Sequence, residues 1–234
     1  MKYSECFYSI QGEGAKTGLP SVFFRVSHCN LRCHWCDTPY TSWKPENKEV
    51  TVEQAVNMIE EYGCKNVVIT GGEPFVWKQK LRFLCDQLWY DGYHITIETN
   101  ATIFEEVEFD LMSMSPKLES STPYDRDPKW AKKHNRERIK IDVIDELIGR
   151  CTPDNLRDYQ LKFVVVDGSE LEEIQDILGS LRQYSNRNVL LMPEGRTAKE
   201  IQDKQLWLAE LCMAHGFRYS DRMHTRFWGD KRGV

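Results

Sequence analysis

Val22-Phe23-Phe24-Arg25-Val26 runs directly into Ser27-His28-Cys29-Asn30-Leu31-Arg32-Cys33-His34-Trp35-Cys36. A short β-branched and aromatic run ending in a cysteine-rich loop reads as a buried strand with a metal site at its C-terminal end. Cubane iron–sulfur clusters are held by cysteine thiolates, usually four. Cys29, Cys33 and Cys36, with no evident fourth partner, would leave one iron open to a substrate or cofactor. Two other readings stand beside this one. Zinc accepts three thiolates and a histidine, here His28 or His34, although such sites usually draw ligands from two separated hooks. A redox pair Cys33-x-x-Cys36 leaves Cys29 without a role.

Outward from this loop, short apolar runs alternate with segments of helical period, the signature of βα units and a parallel sheet or barrel. Strands are expected at Val22–Val26, Asn66–Thr70, His94–Glu98, Leu111–Ser115, Leu161–Val166 and Val189–Met192. Between them, Val52, Ala55, Val56 and Ile59 recur on one helical face, as do Leu81, Leu84, Cys85 and Leu88, and Leu171, Ile174, Leu178 and Leu181. A last helix carries Leu208, Leu211, Cys212 and His215 before Gly216 stops it, and Gly63 and Gly92 end two earlier helices. Six strands suit an α/β architecture in the form of a partial, open TIM-like (β/α)6 barrel better than a closed eight-stranded one. Residues 117–155, rich in charge and proline, read as an insertion with one or two helices.

With 234 residues, 41% hydrophobic and 29% charged, the chain is expected to fold as a single domain over 1–234. The N-terminus lacks the basic start and apolar core of a signal peptide, and no apolar run is long enough to span a bilayer. A soluble, cytoplasmic protein without membrane contact is expected. Eight cysteines without an export signal are metal ligands and buried thiols rather than disulfides. The net charge of −5 gives no broad reason to expect nucleic-acid binding, and the basic run Lys129 to Lys140 reads as solvated surface.

Barrel active sites gather where strands end. The second strand ends in Thr70-Gly71-Gly72-Glu73-Pro74, where two glycines permit close backbone approach to a ligand. The third ends in Glu98-Thr99-Asn100 and the fourth in Ser115-Pro116-Lys117. Each is weak alone, but together with the cysteine loop they line one rim with groups suited to a polar nucleoside. The constellation resembles the radical S-adenosylmethionine (SAM) superfamily. That resemblance implies a barrel of the radical SAM type with one [4Fe–4S] cluster on Cys29, Cys33 and Cys36. It also implies SAM bound through Gly71, Gly72, Glu73, Glu98, Asn100, Ser115, Pro116 and Lys117. A reduced cluster there passes one electron into SAM, and the resulting radical abstracts an unactivated hydrogen.

The N-terminal Phe7-Tyr8-Ser9-Ile10-Gln11-Gly12-Glu13-Gly14 and Gly18-Leu19-Pro20-Ser21 narrow the resemblance, as do Cys36-Asp37-Thr38, Gln160-Leu161-Lys162-Phe163-Val164, His224 and Trp228. These are similar to the 7-carboxy-7-deazaguanine synthase family, over nearly the whole chain. The resemblance implies a carbon–nitrogen lyase that converts 6-carboxy-5,6,7,8-tetrahydropterin to 7-carboxy-7-deazaguanine with loss of ammonia, on the route to queuosine and other 7-deazapurines. It further implies Mg2+ on the Thr38 hydroxyl, and substrate contacts from Ile10, Gln11, Gly12, Glu13, Arg25, Thr70 and His224. Residues of about 1–20 then form an N-terminal substrate-binding segment and about 217–234 a C-terminal tail. A flavodoxin- or ferredoxin-type electron donor and a homodimer are implied as partners. Gln11 and Glu13 can meet the donor and acceptor edge of a pterin, and Arg25 can fork onto a carboxylate.

Plainer roles compete at several of these positions. Arg25 can pair with an acid at the sheet edge, Thr38 can be a turn hydroxyl, Glu13 can be solvated, and His224 can be a packed or surface side chain. His28 stands where relatives often carry glycine, Thr225 where lysine is frequent, and the chain continues past the point where some relatives end, so Val234 is given no role. The competing enzyme reading is a glycyl-radical-enzyme activating enzyme, which has no obvious need for Gln11, Glu13 and Thr38. The competing non-enzyme reading is a zinc-stabilised binding module.

Overall fold

A computed structural model describes residues 1–234, with every side chain except that of Pro153. The chain forms β1 (Lys2–Ile10), β2 (Pro20–Val26), β3 (Lys48–Glu49), α1 (Val52–Glu60), β4 (Asn66–Gly71), α2 (Lys78–Tyr90), β5 (His94–Thr99) and β6 (Leu111–Met114). It continues with α3 (Pro128–Glu137), α4 (Ile141–Gly149), β7 (Asp158–Val165), α5 (Leu171–Ser180), β8 (Val189–Pro193), α6 (Ala198–His215), β9 (Arg218–Tyr219) and α7 (Met223–Trp228). One nine-stranded sheet has the order β3-β1-β2-β4-β5-β6-β7-β8-β9. From β2 to β9 every neighbour is parallel, while β1 lies antiparallel on β2 and β3 antiparallel on β1. The sheet does not close, so the barrel is partial.

The strands β2, β4, β5, β6, β7 and β8 are the six expected from the sequence, with ends shifted by a few residues. Three others were not expected. The longest, β1, occupies part of the segment read only as substrate-binding, yet its Tyr3, Cys6, Phe7 and Tyr8 carry ordinary strand chemistry. The edges β3 and β9 are two residues each, too short to leave a pattern. The β5–β6 crossover also has no helix. Val107 and Phe109 are buried there and cover the sheet in its place.

Helix boundaries follow local chemistry. Thr51 and Gln54 form a capping box at the start of α1, and Thr197 and Glu200 form one at the start of α6. Gly216, at φ 68°, ends α6 in the left-handed conformation. Asp127 caps α3, with Pro128 at the first helical position.

Period-two alternation sorts the strands into two faces. Val22, Phe24, Val26, Val67, Ile69, Ile95, Ile97, Met112, Leu161, Phe163, Val189 and Leu191 point to the helix layer, where they are buried with Ile59, Leu84, Leu88, Ile144, Ile174 and Leu208. Their neighbours Arg25, Thr70, Glu98, Ser113, Lys162 and Met192 take the concave face. Register aligns them: Arg25 sits opposite Thr70, Glu98 opposite Ser113, and Ser113 opposite Gln160. The alternation that fills the core thus also lays a row of polar groups across the barrel floor.

Candidate active site

The concave face and the loops above it enclose a cavity of about 430 Å³. Cys29, Cys33 and Cys36 all line it, on the loop that leaves β2. Burial pushes the Cys29 thiol up to about 12 and raises that of Cys33 as well. Leu31 N–H points at Cys29 Sγ (3.4 Å), and Ser42 Oγ lies 3.1 Å from Cys36 Sγ. Among the described residues, no group of three or more Cys, His, Asp or Glu side chains converges closely enough to hold a single metal ion.

Neither histidine proposed as a fourth zinc ligand faces the cavity. His28 pairs with Asn47 (3.1 Å) and meets Trp77 edge-on, and His34 is exposed. His28 has φ 75°, the left-handed region that glycine enters without strain, which accounts for the expected glycine at this position.

The Gly71-Gly72 turn locks onto the base of the cysteine loop. A Cβ on Gly72 would stand 2.0 Å from the His28 carbonyl oxygen, and one on Gly71 2.1 Å from that of Val26. In their place run backbone bonds, Gly72 N–H to Val26 O (3.2 Å) and Glu73 N–H to His28 O (2.9 Å). Both glycines line the cavity, but Glu73 does not. Its fully buried carboxylate accepts from Thr99 Oγ1 (2.7 Å), Asn100 N (2.7 Å) and Phe75 N (3.1 Å). Burial, opposed by those donors, raises its carboxyl to about 7. Glu73 is therefore a strut between two strand ends. Pro116 is likewise buried away from the cavity, whereas Ser115 and Lys117 line it, joined by a 2.8 Å bond. Asn100 lines it too, with Nδ2 3.9 Å from Cys29 Sγ.

At the other end, Gln11, Glu13, Arg25, Thr70, Glu98 and His224 come together, with Ile10 and Gly12 beside them. Gln11 Nε2 donates to Glu98 Oε1 (3.1 Å) and its Oε1 accepts from Glu13 N (3.1 Å), so this amide also shapes its own loop. Thr70 Oγ1 donates to Glu98 Oε2 (2.8 Å). Arg25 Nε is held by Glu5 (2.7 Å), the edge pairing noted as its plainer role, although the side chain still lines the cavity. Thr38 does so as well, its hydroxyl 3.8 Å from Cys36 Sγ.

Glu13 is not solvated. Burial alone would raise its carboxyl, but Lys162, Arg222 and His224 together hold it well below the usual carboxylate range. Lys162 Nζ bonds it directly, Arg222 Nε donates at 3.1 Å, and His224 Nε2 lies 3.9 Å away. Arg222 also grips Asp37 in the cysteine loop and the Gly195 carbonyl after β8. His224 sits so tightly over Gly12 that a Cβ there would be 2.1 Å from its Nδ1, and Met223 N–H bonds Gly12 O (2.9 Å). The glycine at 12 therefore admits the C-terminal segment.

Sequence reasoning gave Lys162, Asp37, Arg222, Glu5 and Tyr40 no individual role. A charged residue between Leu161 and Phe163 in a strand could have flagged Lys162, since alternation sends it to the inner face. Nothing local marks Arg222. Residues Gly229 to Val234 also line the cavity, with Arg232 donating to Glu5 (2.9 Å) and Glu46 (2.7 Å) and lying 3.8 Å from the Tyr40 ring centre.

The family model of the radical SAM superfamily matches residues 25–181. The 7-carboxy-7-deazaguanine synthase of Rhodopirellula baltica is 42% identical over 232 residues, covering 99% of this chain and 88% of its own. That of Halobacterium salinarum is 42% identical over 238 residues, covering 97% and 90%. The crystal structure of QueE from Escherichia coli aligns with TM-score 0.68 at 26% identity, covering 95% of this chain and 93% of its own.

Proposed function

The chain belongs to the 7-carboxy-7-deazaguanine synthase family of the radical SAM superfamily, and from that premise we propose that its cavity converts 6-carboxy-5,6,7,8-tetrahydropterin to 7-carboxy-7-deazaguanine with loss of ammonia. The observation that carries this reading is the division of one cavity into a thiol end and a polar end. Membership of the superfamily implies a [4Fe–4S] cluster and SAM. The donor set fits: among the described residues Cys29, Cys33 and Cys36 are the cysteines that line the cavity, and three thiols suit a cluster with one iron left for SAM. When bound, the pair supplies hydrogen abstraction from an unactivated carbon.

The chain's own residues bind and orient. Gly71, Gly72, Asn100, Ser115 and Lys117 border the thiol end and are assigned to SAM, whereas Glu98, expected with them, is held by Gln11 and Thr70 at the polar end. Glu73 acts on the same site from behind, by fixing the Thr99 and Asn100 backbone. Ile10, Gln11, Gly12, Glu13, Arg25, Thr70 and His224 are assigned to the pterin. A Glu13 carboxylate held ionised by Lys162 and Arg222 is an acceptor-only group suited to the N–H edge of the ring. Arg25, with Nε on Glu5, keeps the rest of its fork for the substrate carboxylate. We assign Mg2+ to the Thr38 hydroxyl, since the ion takes few protein oxygens and retains waters that a substrate carboxylate can replace.

The electron donor is assigned as a flavodoxin- or ferredoxin-type protein and the assembly as a homodimer in the cytoplasm. No helix among the described residues is long and apolar enough to cross a membrane. The test is anaerobic incubation of reduced, reconstituted protein with SAM, Mg2+ and the carboxytetrahydropterin, followed by mass spectrometry. Deazaguanine formation supports the assignment. Its absence alongside undiminished SAM cleavage rejects the substrate.

A further inference from the structure

Helix α3 carries a charge pattern that neither the core nor the cavity explains. Lys129, Lys132, Lys133 and Arg136 are exposed on it, and exposed Arg126 precedes it. Of the acids from 124 to 137, Asp127 is engaged as the N-cap and Glu137 pairs with Arg136 and Lys140, which leaves Arg126, Lys129, Lys132 and Lys133 without an ion pair among the described residues, beside the exposed Asp125. This concentration of cations runs against a net charge of −5. The helix also adds nothing to the main core, to which its neighbour α4 contributes Ile144, Leu147 and Ile148.

What α3 does contact is the cysteine loop. His134, fully buried, accepts the Arg32 N–H on Nδ1 (3.1 Å) and meets Ser121 Oγ through Nε2 (2.8 Å). Because Ser121 donates its own proton to Leu118 O (2.6 Å), His134 donates there and is the neutral Nε2–H tautomer. The Arg32 guanidinium lies 4.4 Å from the Trp130 ring centre, and that of Arg126 3.9 Å from Trp43. Trp43 Nε1 donates to the Cys33 carbonyl (2.9 Å), and Arg126 to that of His34 (3.4 Å). One indole ring therefore separates the cationic surface from the backbone of a cluster cysteine.

We propose that the outer face of α3, with Arg126 and the rim of the cysteine loop, is the docking surface for an acidic one-electron carrier protein. The inference rests on the cluster reading above, because the cluster must be reduced by an external one-electron donor before SAM can be cleaved. Charge complementarity steers such transient encounters and sets their orientation. A protein fits this face better than a nucleic acid: the faces of Trp43 and Trp130 are covered by Arg126, Arg32 and Lys133 and offer no platform for bases.

The test uses reconstituted holoenzyme and a Lys129→Glu/Lys132→Glu variant, since neither lysine side chain makes an ion pair or hydrogen bond among the described residues. SAM cleavage is measured with reduced flavodoxin as probe and, separately, with dithionite. The flavodoxin-driven rate at low ionic strength should fall by about tenfold or more, the lower end of electrostatic steering effects. Added salt should slow the wild type and leave the variant flat, and dithionite-driven rates should be equal. Equal flavodoxin-driven rates overturn the proposal, as does the same loss under dithionite, which would mark a structural role. So does loss of tRNA binding in the variant with carrier-driven turnover intact. No SAM cleavage by the wild type under dithionite rejects the cluster reading itself, and the docking surface with it.

Discussion

Glu13 and Arg222, separated by 209 positions in the chain, form a buried ion pair with Nε–Oε1 3.1 Å apart. The pair joins the turn after β1 to the segment before α7. Through its other nitrogens Arg222 extends the link to Asp37, the residue directly after Cys36, and to the loop after β8.

Replacing Arg222 by Met should therefore cost more than a surface charge would. It leaves Glu13 with Lys162 and the more distant His224 and Asp37 without its guanidinium, and breaking one side of a buried pair costs about 3–5 kcal/mol. Chemical denaturation of the apo-protein measures it. A loss below about 1 kcal/mol would show that water or relaxation replaces the arginine.

His134 predicts a pH dependence. Burial, reinforced by Arg138 and Lys117, pushes its imidazole down to about 4, below its ordinary value of 6.5. The unfolded chain thus binds the proton first, so this contribution is complete above pH 6.5 and declines as pH falls toward 4. Urea midpoints should drop between pH 7 and 5 in the wild type, and less steeply in His134→Gln. Parallel slopes would contradict the assignment.

Gly72→Ala should disable the cysteine loop. With a Cβ 2.0 Å from His28 O, a backbone atom that cannot swing aside, the turn or the loop must move. Overpacking of this kind costs about 1–3 kcal/mol. Iron per chain after reconstitution should fall sharply, and normal loading would refute the lock.

His28→Gly should be nearly silent. Glycine relieves the left-handed φ of 75°, worth about 1 kcal/mol, but it loosens the unfolded chain by a similar amount and loses the Asn47 bond. Stability should stay within about 1 kcal/mol and the electron paramagnetic resonance spectrum of the reduced cluster should not change. An altered spectrum would mean that the side chain tunes the cluster after all.

Much of the barrel was legible because its strands are buried on the helix side and their apolar runs are short and evenly spaced. The six central strands and the faces of α1, α2 and α5 follow from that pattern. Strand β1 leaves a weak signature because it lies next to the sheet edge, where most of its residues are half-buried instead of alternating between core and solvent. The helix-free β5–β6 crossover was invisible, since Ile103, Phe104, Val107 and Phe109 pack without helical period.

By itself the sequence determined the chemistry at the cysteine loop and the set of polar strand ends around it, because thiol spacing and strand period are local properties. Tertiary structure decided what those residues face. Glu73 and Pro116 sit at a strand end but behind the cavity wall, whereas Lys162 and Arg222, anonymous in the chain, line the cavity and converge on Glu13. The reason is that an ion pair such as Glu13–Arg222 depends on where two distant backbones cross, and Gly12, which no local rule ties to residue 224, is what allows that crossing.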